Sequence, residues 1–559
     1  MCGIFGILNP GTLSLDGIME HFMKGERRGP ESHKYIQKES EFIGFHRLAI
    51  NGLDEGSNQP IQVGNVTLIC NGEIYNYKQL FKDLGVTATT NSDCEIIAHL
   101  YIKYGMEYTL QLLDGVFSFA LFDYPHCFIS RDPVGIRPLY YVESIDEQKN
   151  YHYYFASELK CINWFHKRHK LLKHTSTYGQ FKPGTYNTFT KFNSKWNFIK
   201  EKTYFKLIHS PPSLIPFSKS STEQHSNVYS IIEQFLTTAV HKRCDTTDRP
   251  IACLLSGGLD SSLITALVQE HYQRDNKLLE TYSIGLEGSE DLRNAQLVAT
   301  YLGTNHTEIT VTEQLMVETI PDVIRAIESY DITTVRASIG NYLLGKYISE
   351  NSEAKVIFNG DGSDELFGGY IYMDKCGDST EFDKETRRLL KYIHTFDVLR
   401  SDKCISSHGL EPRTPFLDKH LINAHLSIPT DIRYSIHKLG GKYVLRQGFS
   451  PDRRISKKTN KPLLPDAVLW RKKEAFSDGV SQIGRSLFTI IQEHIANKPR
   501  YAQYKGIELE KKYYKDIFEN MYSNMEKVLP FYWMPKYTLT DDPSARTLEH
   551  YSSSSSGEL

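Results

Sequence analysis

Ser256-Gly257-Gly258-Leu259-Asp260-Ser261-Ser262 carries the residue types of a phosphate-binding turn. It follows an apolar run at 250–255, as expected of a strand buried on both faces of a parallel sheet, and precedes residues 263–268, which open a helix. Bare backbone N–H groups and the positive end of the helix dipole meet at such a junction and favour an anion. The glycines allow close backbone approach to a phosphate, Ser256 and Ser261 add hydroxyl donors, and Asp260 offers a carboxylate to Mg2+. No Lys follows the glycines, so the loop lacks the grip needed for γ-phosphoryl transfer and suits pyrophosphate better. That chemistry is adenylation. A plain Gly-Gly turn is the competing reading, and it is the weaker one because the whole S-G-G-x-D-S-S pattern sits between strand and helix.

A second cluster follows the apolar run 356–358, where Asn359-Gly360-Asp361-Gly362-Ser363-Asp364-Glu365 puts three acids into a Gly-rich turn. Such a turn suits Mg2+ and pyrophosphate, with Asp260 and Asp361 as the metal candidates. A calcium EF-hand is excluded, because Tyr372 stands where its closing Glu belongs. At the other end of the chain, removal of Met1 would leave Cys2 first. Its thiol would then adjoin a free α-amine, whose ordinary pKa of about 7.7–8.0 suits a base near neutrality. By itself a cysteine at position two signifies little.

These residues need two separate scaffolds. A chain of 559 residues exceeds one core, since single cores stop growing at roughly 250–300 residues. From 209 to 227 the composition turns to Pro, Ser and polar residues, the mark of a linker. The expected division is 1–205, a linker at 206–227, a second domain at 228–548 and a low-complexity tail at 549–559. Strands and helices alternate in the second domain, predicting a doubly wound parallel sheet whose ligands bind at strand carboxyl ends; Ile284 then sits where it could pack on an adenine ring. The net charge of −2 without a basic block gives no footprint for nucleic acid or anionic membrane. Nine scattered cysteines without a C-x-x-C pair indicate neither a disulfide framework nor structural zinc. With no signal segment and no apolar run of about eighteen residues, the expected location is the cytoplasm.

The motifs Arg27-Arg28-Gly29-Pro30, His46-Arg47-Leu48-Ala49-Ile50-Asn51, Asn71-Gly72-Glu73-Ile74-Tyr75-Asn76 and Ser92-Asp93-Cys94-Glu95 occur in the order seen in class II glutamine amidotransferases, which the N-terminal half resembles. The resemblance implies an αββα (Ntn-type) glutaminase domain in which Cys2 attacks the glutamine amide. Asn71 and the Gly72 N–H would supply an oxyanion hole. Arg47 would bind the glutamine carboxylate, Glu73 and Asp93 its ammonium, and Leu48, Ala49, Ile50 and Asn51 would complete the glutamine site.

The S-G-G-x-D-S-S loop resembles the pyrophosphatase loop of amide-forming and thiolating enzymes. Further motifs as far as Asp542-Pro543-Ser544-Ala545-Arg546-Thr547, including residues 470–480, resemble glutamine-hydrolysing asparagine synthetases. The resemblance implies an α/β PP-loop synthetase domain that forms asparagine from L-aspartate, L-glutamine and ATP through a β-aspartyl-adenylate, with Mg2+. ATP would contact Leu255, Ser256, Gly257, Gly258, Asp260, Ser261, Ile284, Asn359 and Gly360; Arg336, Asp364, Glu365 and Arg413 would serve aspartate and pyrophosphate. Asp361 and Lys442 would be catalytic, Lys442 neutralising charge on the α-phosphate and pyrophosphate. A homodimer is also expected. Residues 453–458 and 471–473 read as solvated basic faces. Asn359 and Pro412 depart from the usual Ser and small residue. The alternatives are a paralogue amidating another carboxylate and a non-catalytic nucleotide or glutamine sensor; intact Cys2, Asp260 and the acidic turn weigh against the sensor.

Overall fold

The computed structural model describes residues 1–146, 149–168, 176–207, 221–273, 277–456, 458–471, 473, 480–481, 485–544 and 547. Most of the expected linker, the 549–559 tail, most of the 470–480 segment and residues 545–546 lie outside the described residues. The N-terminal strands are β1 (Gly3–Leu8), β2 (Ser32–Lys38), β3 (Glu41–Arg47), β4 (Ile61–Val63), β5 (Val66–Ile74), β6 (Gly115–Asp123), β7 (His126–Arg131), β8 (Tyr140–Ile145), β9 (Tyr151–Ala156), β10 (Ser176–Gln180), β11 (Thr185–Phe192) and β12 (Lys195–Thr203). They form two six-stranded antiparallel sheets, ordered β10-β8-β9-β1-β3-β2 and β12-β11-β7-β6-β5-β4.

Period-two alternation makes each sheet apolar on both faces. In β1, Ile4 and Leu8 enter the layer between the sheets, while Phe5 and Ile7 meet Ile18 and Phe22 of the helix Leu15–Phe22. In β5, Ile69 enters the same inner layer, while Leu68 and Cys70 meet Leu80 and Phe81 of Tyr77–Leu84 and Ile96, Ile97 and Leu100 of Glu95–Leu112. The helix-sheet-sheet-helix order is the expected αββα arrangement.

The second half holds β13 (Ile251–Leu254), β14 (Glu280–Leu286), β15 (Asn305–Val311), β16 (Val356–Phe358) and β17 (Glu411–Arg413), all paired in parallel in the order β15-β14-β13-β16-β17. Strand order reverses between β13 and β16, which opens a crevice at their carboxyl ends, where doubly wound sheets bind ligands. Both candidate loops leave from those two ends. Pro412 lies on β17, an edge strand, where a residue without an N–H is tolerated. The helix Ser221–Cys244 already begins inside the stretch read as linker.

Nine of the ten residues of the helix Asp397–Ser406 are buried, all but Asp397, because it is wedged between the two halves. Arg400 and Ser401 reach the acidic turn after β16, donating to Asp361 (3.0 Å) and accepting from Asn359 (2.7 Å). The next two residues face the N-terminal domain: Asp402 pairs with Arg28 (2.8 Å) and Arg137 (3.2 Å), and Lys403 with Glu158 (3.1 Å). These buried charges are matched one against another, as a low-dielectric interface requires.

Candidate active sites

The first site forms where the start of β1 meets the ends of β3 and β5. Pairing of Gly3 with His46 brings Cys2 alongside the chain leaving β3, and the Cys2 thiol donates to the Leu48 carbonyl at 3.4 Å. Arg28 Nε donates to the Cys2 carbonyl at 3.0 Å. Ser157 Oγ accepts from the Ile4 N–H (3.1 Å) and from Asn71 Nδ2 (3.3 Å), which ties Asn71 to the strand bearing Cys2. Asn71 is fully buried. At Gly72 any Cβ would stand 2.4 Å from the Val116 carbonyl, so only glycine fits there. Burial pushes the Cys2 thiol up to about 11. Here the α-amine belongs to Met1; it donates to Leu410 O at 2.9 Å, and burial lowers its pKa to about 5.

The acids expected around glutamine are buried close by. Asp93 accepts the Ile74 N–H at 2.6 Å, and burial pushes its carboxyl up to about 6. Glu73 accepts from Asn51 Nδ2, and burial, reinforced by the charge of Asp93, raises its carboxyl well above the ordinary range. Arg47 turns its guanidinium to the carbonyls of Gly52 and Asp54, the latter at 2.9 Å. Leu48, Ala49 and Ile50 are buried and hold the second domain: Arg249 Nε donates to Ala49 O (2.8 Å) and the Asp248 N–H to Ile50 O (2.9 Å).

The second site is a cavity of about 230 Å3 at the β13/β16 switch point. Gly257 (φ +71°) folds against the helix Glu290–Leu302, where a Cβ would meet Asn294 and Ala295 within 2.5 Å. Gly360 packs against Asp260 and Ser261, leaving no room for a side chain between the two loops. Ser256 Oγ and Ser261 Oγ bond each other at 3.1 Å across the turn, and no side chain caps the helix Leu259–Tyr272. Its first N–H groups therefore face the cavity as an anion cradle. Leu255, Ser256, Gly258, Asp260, Ser261, Ile284, Asn359, Gly360, Asp361, Asp364 and Lys442 all line this cavity.

Charges alternate along its floor. Lys442 Nζ sits 2.5 Å from both Asp260 and Asp364, and Lys473 Nζ sits 2.6 Å from the other oxygen of Asp364. Burial opposes ionisation of Asp364, yet the two ammonium groups hold its carboxyl well below the ordinary range. Lys442 is 4% exposed and has a left-handed backbone (φ +58°), a conformation uncommon outside glycine. It caps the helix Tyr443–Gly448 instead of lying in its first turn. Asp361 takes Arg400 on one oxygen, while among the described residues its buried Oδ2 has no hydrogen-bond partner.

Several expectations change in the structure. Arg471 and Lys473 are not a solvated face: both line the cavity, Lys473 on Asp364 and Arg471 donating to Gly257 O at 3.1 Å. Arg454 likewise pairs with Glu233 (3.0 Å) and Glu270 (2.5 Å). Arg336, Arg413 and Glu365 do not line the cavity. Arg336 binds Glu510 and Asp542 through both edges of its guanidinium. Arg413 belongs to the domain interface, between Glu411 (2.8 Å) and Glu73 of the first site (3.4 Å). Glu365 accepts from Tyr370 OH at 2.5 Å. Arg400, Asp397 and Tyr370 line the cavity without having been given a role from the sequence: Tyr370 ends the Gly-rich acidic stretch, while no local motif marks Arg400 and Asp397.

The chain matches the family model described as "Asparagine synthase" over 232–381 and 374–536, and that described as "Glutamine amidotransferase domain" over 1–190. Three similar proteins are the glutamine-hydrolysing asparagine synthetases of Gallus gallus (38% identity over 590 residues), Bos taurus (38% over 582) and Homo sapiens (36% over 588). Each alignment covers 99% of both chains. With both halves matched in order and two separate sites in place, the chain belongs to the glutamine-hydrolysing asparagine synthetase family.

Proposed function

We propose that the protein makes L-asparagine from L-aspartate, L-glutamine and ATP, with glutamate, AMP and pyrophosphate as the other products. The observation that carries this reading is the switch-point cavity, where a Lys-free phosphate loop faces the Asp260–Lys442–Asp364–Lys473 chain of charges. A carboxylate is a poor acyl donor. Adenylation converts it into a β-aspartyl-adenylate with a good leaving group, and the helix N-terminus, Lys442 and Lys473 are suited to hold the departing pyrophosphate. Asp260 and Asp361 fit Mg2+, which usually takes one or two carboxylates plus phosphate oxygens, and the unpartnered Asp361 Oδ2 is one such donor. When bound, the ion would neutralise phosphate charge.

In the N-terminal half, the thiol of Cys2 is neutral near pH 7 and needs a base; removal of Met1 would supply its own α-amine. Asn71 and the Gly72 N–H form the oxyanion hole in this reading, and the released ammonia passes to the second site. The domain division 1–205, 206–227, 228–548 and 549–559, a homodimer and a cytoplasmic location are parts of the same proposal. Among the described residues no helix is long and apolar enough to cross a membrane.

Asp260→Ala removes one end of the charge chain, so synthesis is expected to fall at least about a hundredfold while glutamine hydrolysis persists. Loss of both activities together would contradict two separate sites. The Asp93 carboxyl, lifted to about 6 by burial, must ionise to hold the glutamine ammonium. Lowering the pH through 6 protonates it, so KM for glutamine should rise, approaching about tenfold per unit below that point. Asp93→Asn should start with a high KM and lose this dependence, whereas a flat KM between pH 5 and 7 in the parent would remove Asp93 from the ammonium site.

A further inference from the structure

The turn that follows β3 is shaped from the other half of the chain. The Ala49 N–H donates to Glu31 Oε2 (2.8 Å), and the Ala49 carbonyl accepts from Arg249 Nε (2.8 Å). The Ile50 carbonyl accepts the Asp248 N–H (2.9 Å), while the Gly52 N–H donates to Asp248 Oδ2 (2.9 Å). Glu31 is itself fixed by Arg249, whose Nη2 donates to Oε1 at 2.7 Å. Asp248 and Arg249 thus satisfy the Ala49 carbonyl, the Ile50 carbonyl and the Gly52 N–H directly, and the Ala49 N–H through Glu31. Both stand just before Pro250 and β13, at the opposite end of that strand from the phosphate loop.

Gly52 passes this grip on to the substrate side. Its N–H is held by Asp248, and its carbonyl accepts from Arg47 Nη2, while Arg47 Nη1 donates to Asp54 O at 2.9 Å. The backbone there is left-handed (φ +64°), and a Cβ would stand 2.4 Å from Ser57 Oγ and 2.8 Å from the Asn91 carbonyl carbon, so the Gly52 peptide has little room to turn. Next to it, Asn51 Nδ2 donates to Glu73. Arg47 and Glu73, assigned above to the two ends of glutamine, are therefore both oriented through a turn whose shape Asp248 sets. The carboxylate of Asp248 also lies near the acids of that site: burial, and then the charges of Asp93, Asp248 and Glu73, push the Tyr77 hydroxyl up to about 12. A direct contact of Asp248 with the glutamine ammonium is accordingly the rival role.

We propose that Asp248 is a positioning residue for glutamine, a carboxylate of the synthetase half that acts through the Gly52 N–H to set the Arg47 guanidinium where the substrate carboxylate binds. Full affinity for glutamine then requires the docked second domain as well as the residues of the first. The inference rests on the reading of Arg47, Asn51 and Glu73 as glutamine contacts.

The test measures glutamate released by the intact protein over a range of glutamine concentrations, without ATP or aspartate. Asp248→Ala should raise KM for glutamine roughly tenfold, the scale of one hydrogen bond to a charged group, and change kcat by less than about twofold. Asparagine formed from ammonium should continue at the parent rate, which separates lost positioning from lost folding. Asp248→Asn keeps an oxygen that can accept the Gly52 N–H, so its KM should return to within about threefold of the parent value. Arg47→Ala checks the underlying assignment and should raise KM further than Asp248→Ala does. An unchanged KM in Asp248→Ala beside a raised one in Arg47→Ala would overturn the role of Asp248 alone, whereas an unchanged KM in both would overturn the glutamine assignment itself. Asp248→Asn as impaired as Asp248→Ala would replace positioning by a direct charge contact. Loss of ammonium-dependent synthesis together with glutaminase activity would make Asp248 a structural residue and overturn the proposal as well.

Discussion

Cys2→Ala is expected to abolish glutamine-dependent asparagine synthesis, a loss of at least about a thousandfold, while synthesis from ammonium persists. The Cys2 thiol is the nucleophile in this reading: Ser157 ties Asn71 to the strand that Cys2 precedes, while the Cys94 thiol is buried and bonded to the Gly72 carbonyl. Alanine at position 2 removes the nucleophile without disturbing the backbone of β1 or the bond from Arg28 to the residue 2 carbonyl. The phosphate loop and the Lys442 charge chain belong to the other domain and stay intact. Free ammonia is scarce beside ammonium at neutral pH, so rescue should improve as pH rises. A retained Met1 should mimic the substitution, because the free α-amine then sits one residue away, bonded to Leu410 O. The assay compares asparagine formed from glutamine with that formed from ammonium chloride. Undiminished output from glutamine would remove Cys2 from the chemistry.

The second large effect belongs to Lys442. Its ammonium group is buried, 2.5 Å from two carboxylates, and its helix-capping backbone fixes where it points. A preformed cation facing the phosphate cradle gains most when negative charge gathers on the leaving pyrophosphate. Lys442→Ala should therefore lower kcat by about 10²- to 10³-fold, the range seen when one preorganised donor is removed, and move KM for ATP little. Steady-state kinetics with ATP varied at saturating aspartate and ammonium would separate the two constants. A large rise in KM with kcat preserved would reassign Lys442 to ground-state binding.

The sequence was most legible where chemistry and local structure coincide. The Ser256–Ser262 turn announces its strand, its helix and its anion cradle in one contiguous stretch, and the structure puts all three at the β13/β16 switch point. Period-two alternation in β1 and β5 likewise specifies sheets with two apolar faces. Residues whose surroundings are assembled from distant segments were harder to read. Arg400 and Asp397 come from a helix with no recognisable motif, and only the fold carries them to Asp361. Lys473 looks like surface charge in a W-R-K-K-E run, because nothing local reveals that Asp364, more than a hundred positions away, is its partner. Arg413 shows the converse. Its flanking pattern resembled a ligand site, yet β17 is an edge strand against the glutaminase domain, and its guanidinium is taken up by Glu411 and Glu73.

The central claim is that one chain couples glutamine hydrolysis to adenylation of aspartate. Its most direct test is the product stoichiometry with glutamine, aspartate, ATP and Mg2+ supplied together. Asparagine, AMP and pyrophosphate should appear in equal amounts, with glutamate at least equal to asparagine. Asparagine accompanied by ADP and phosphate in place of AMP and pyrophosphate would contradict the account.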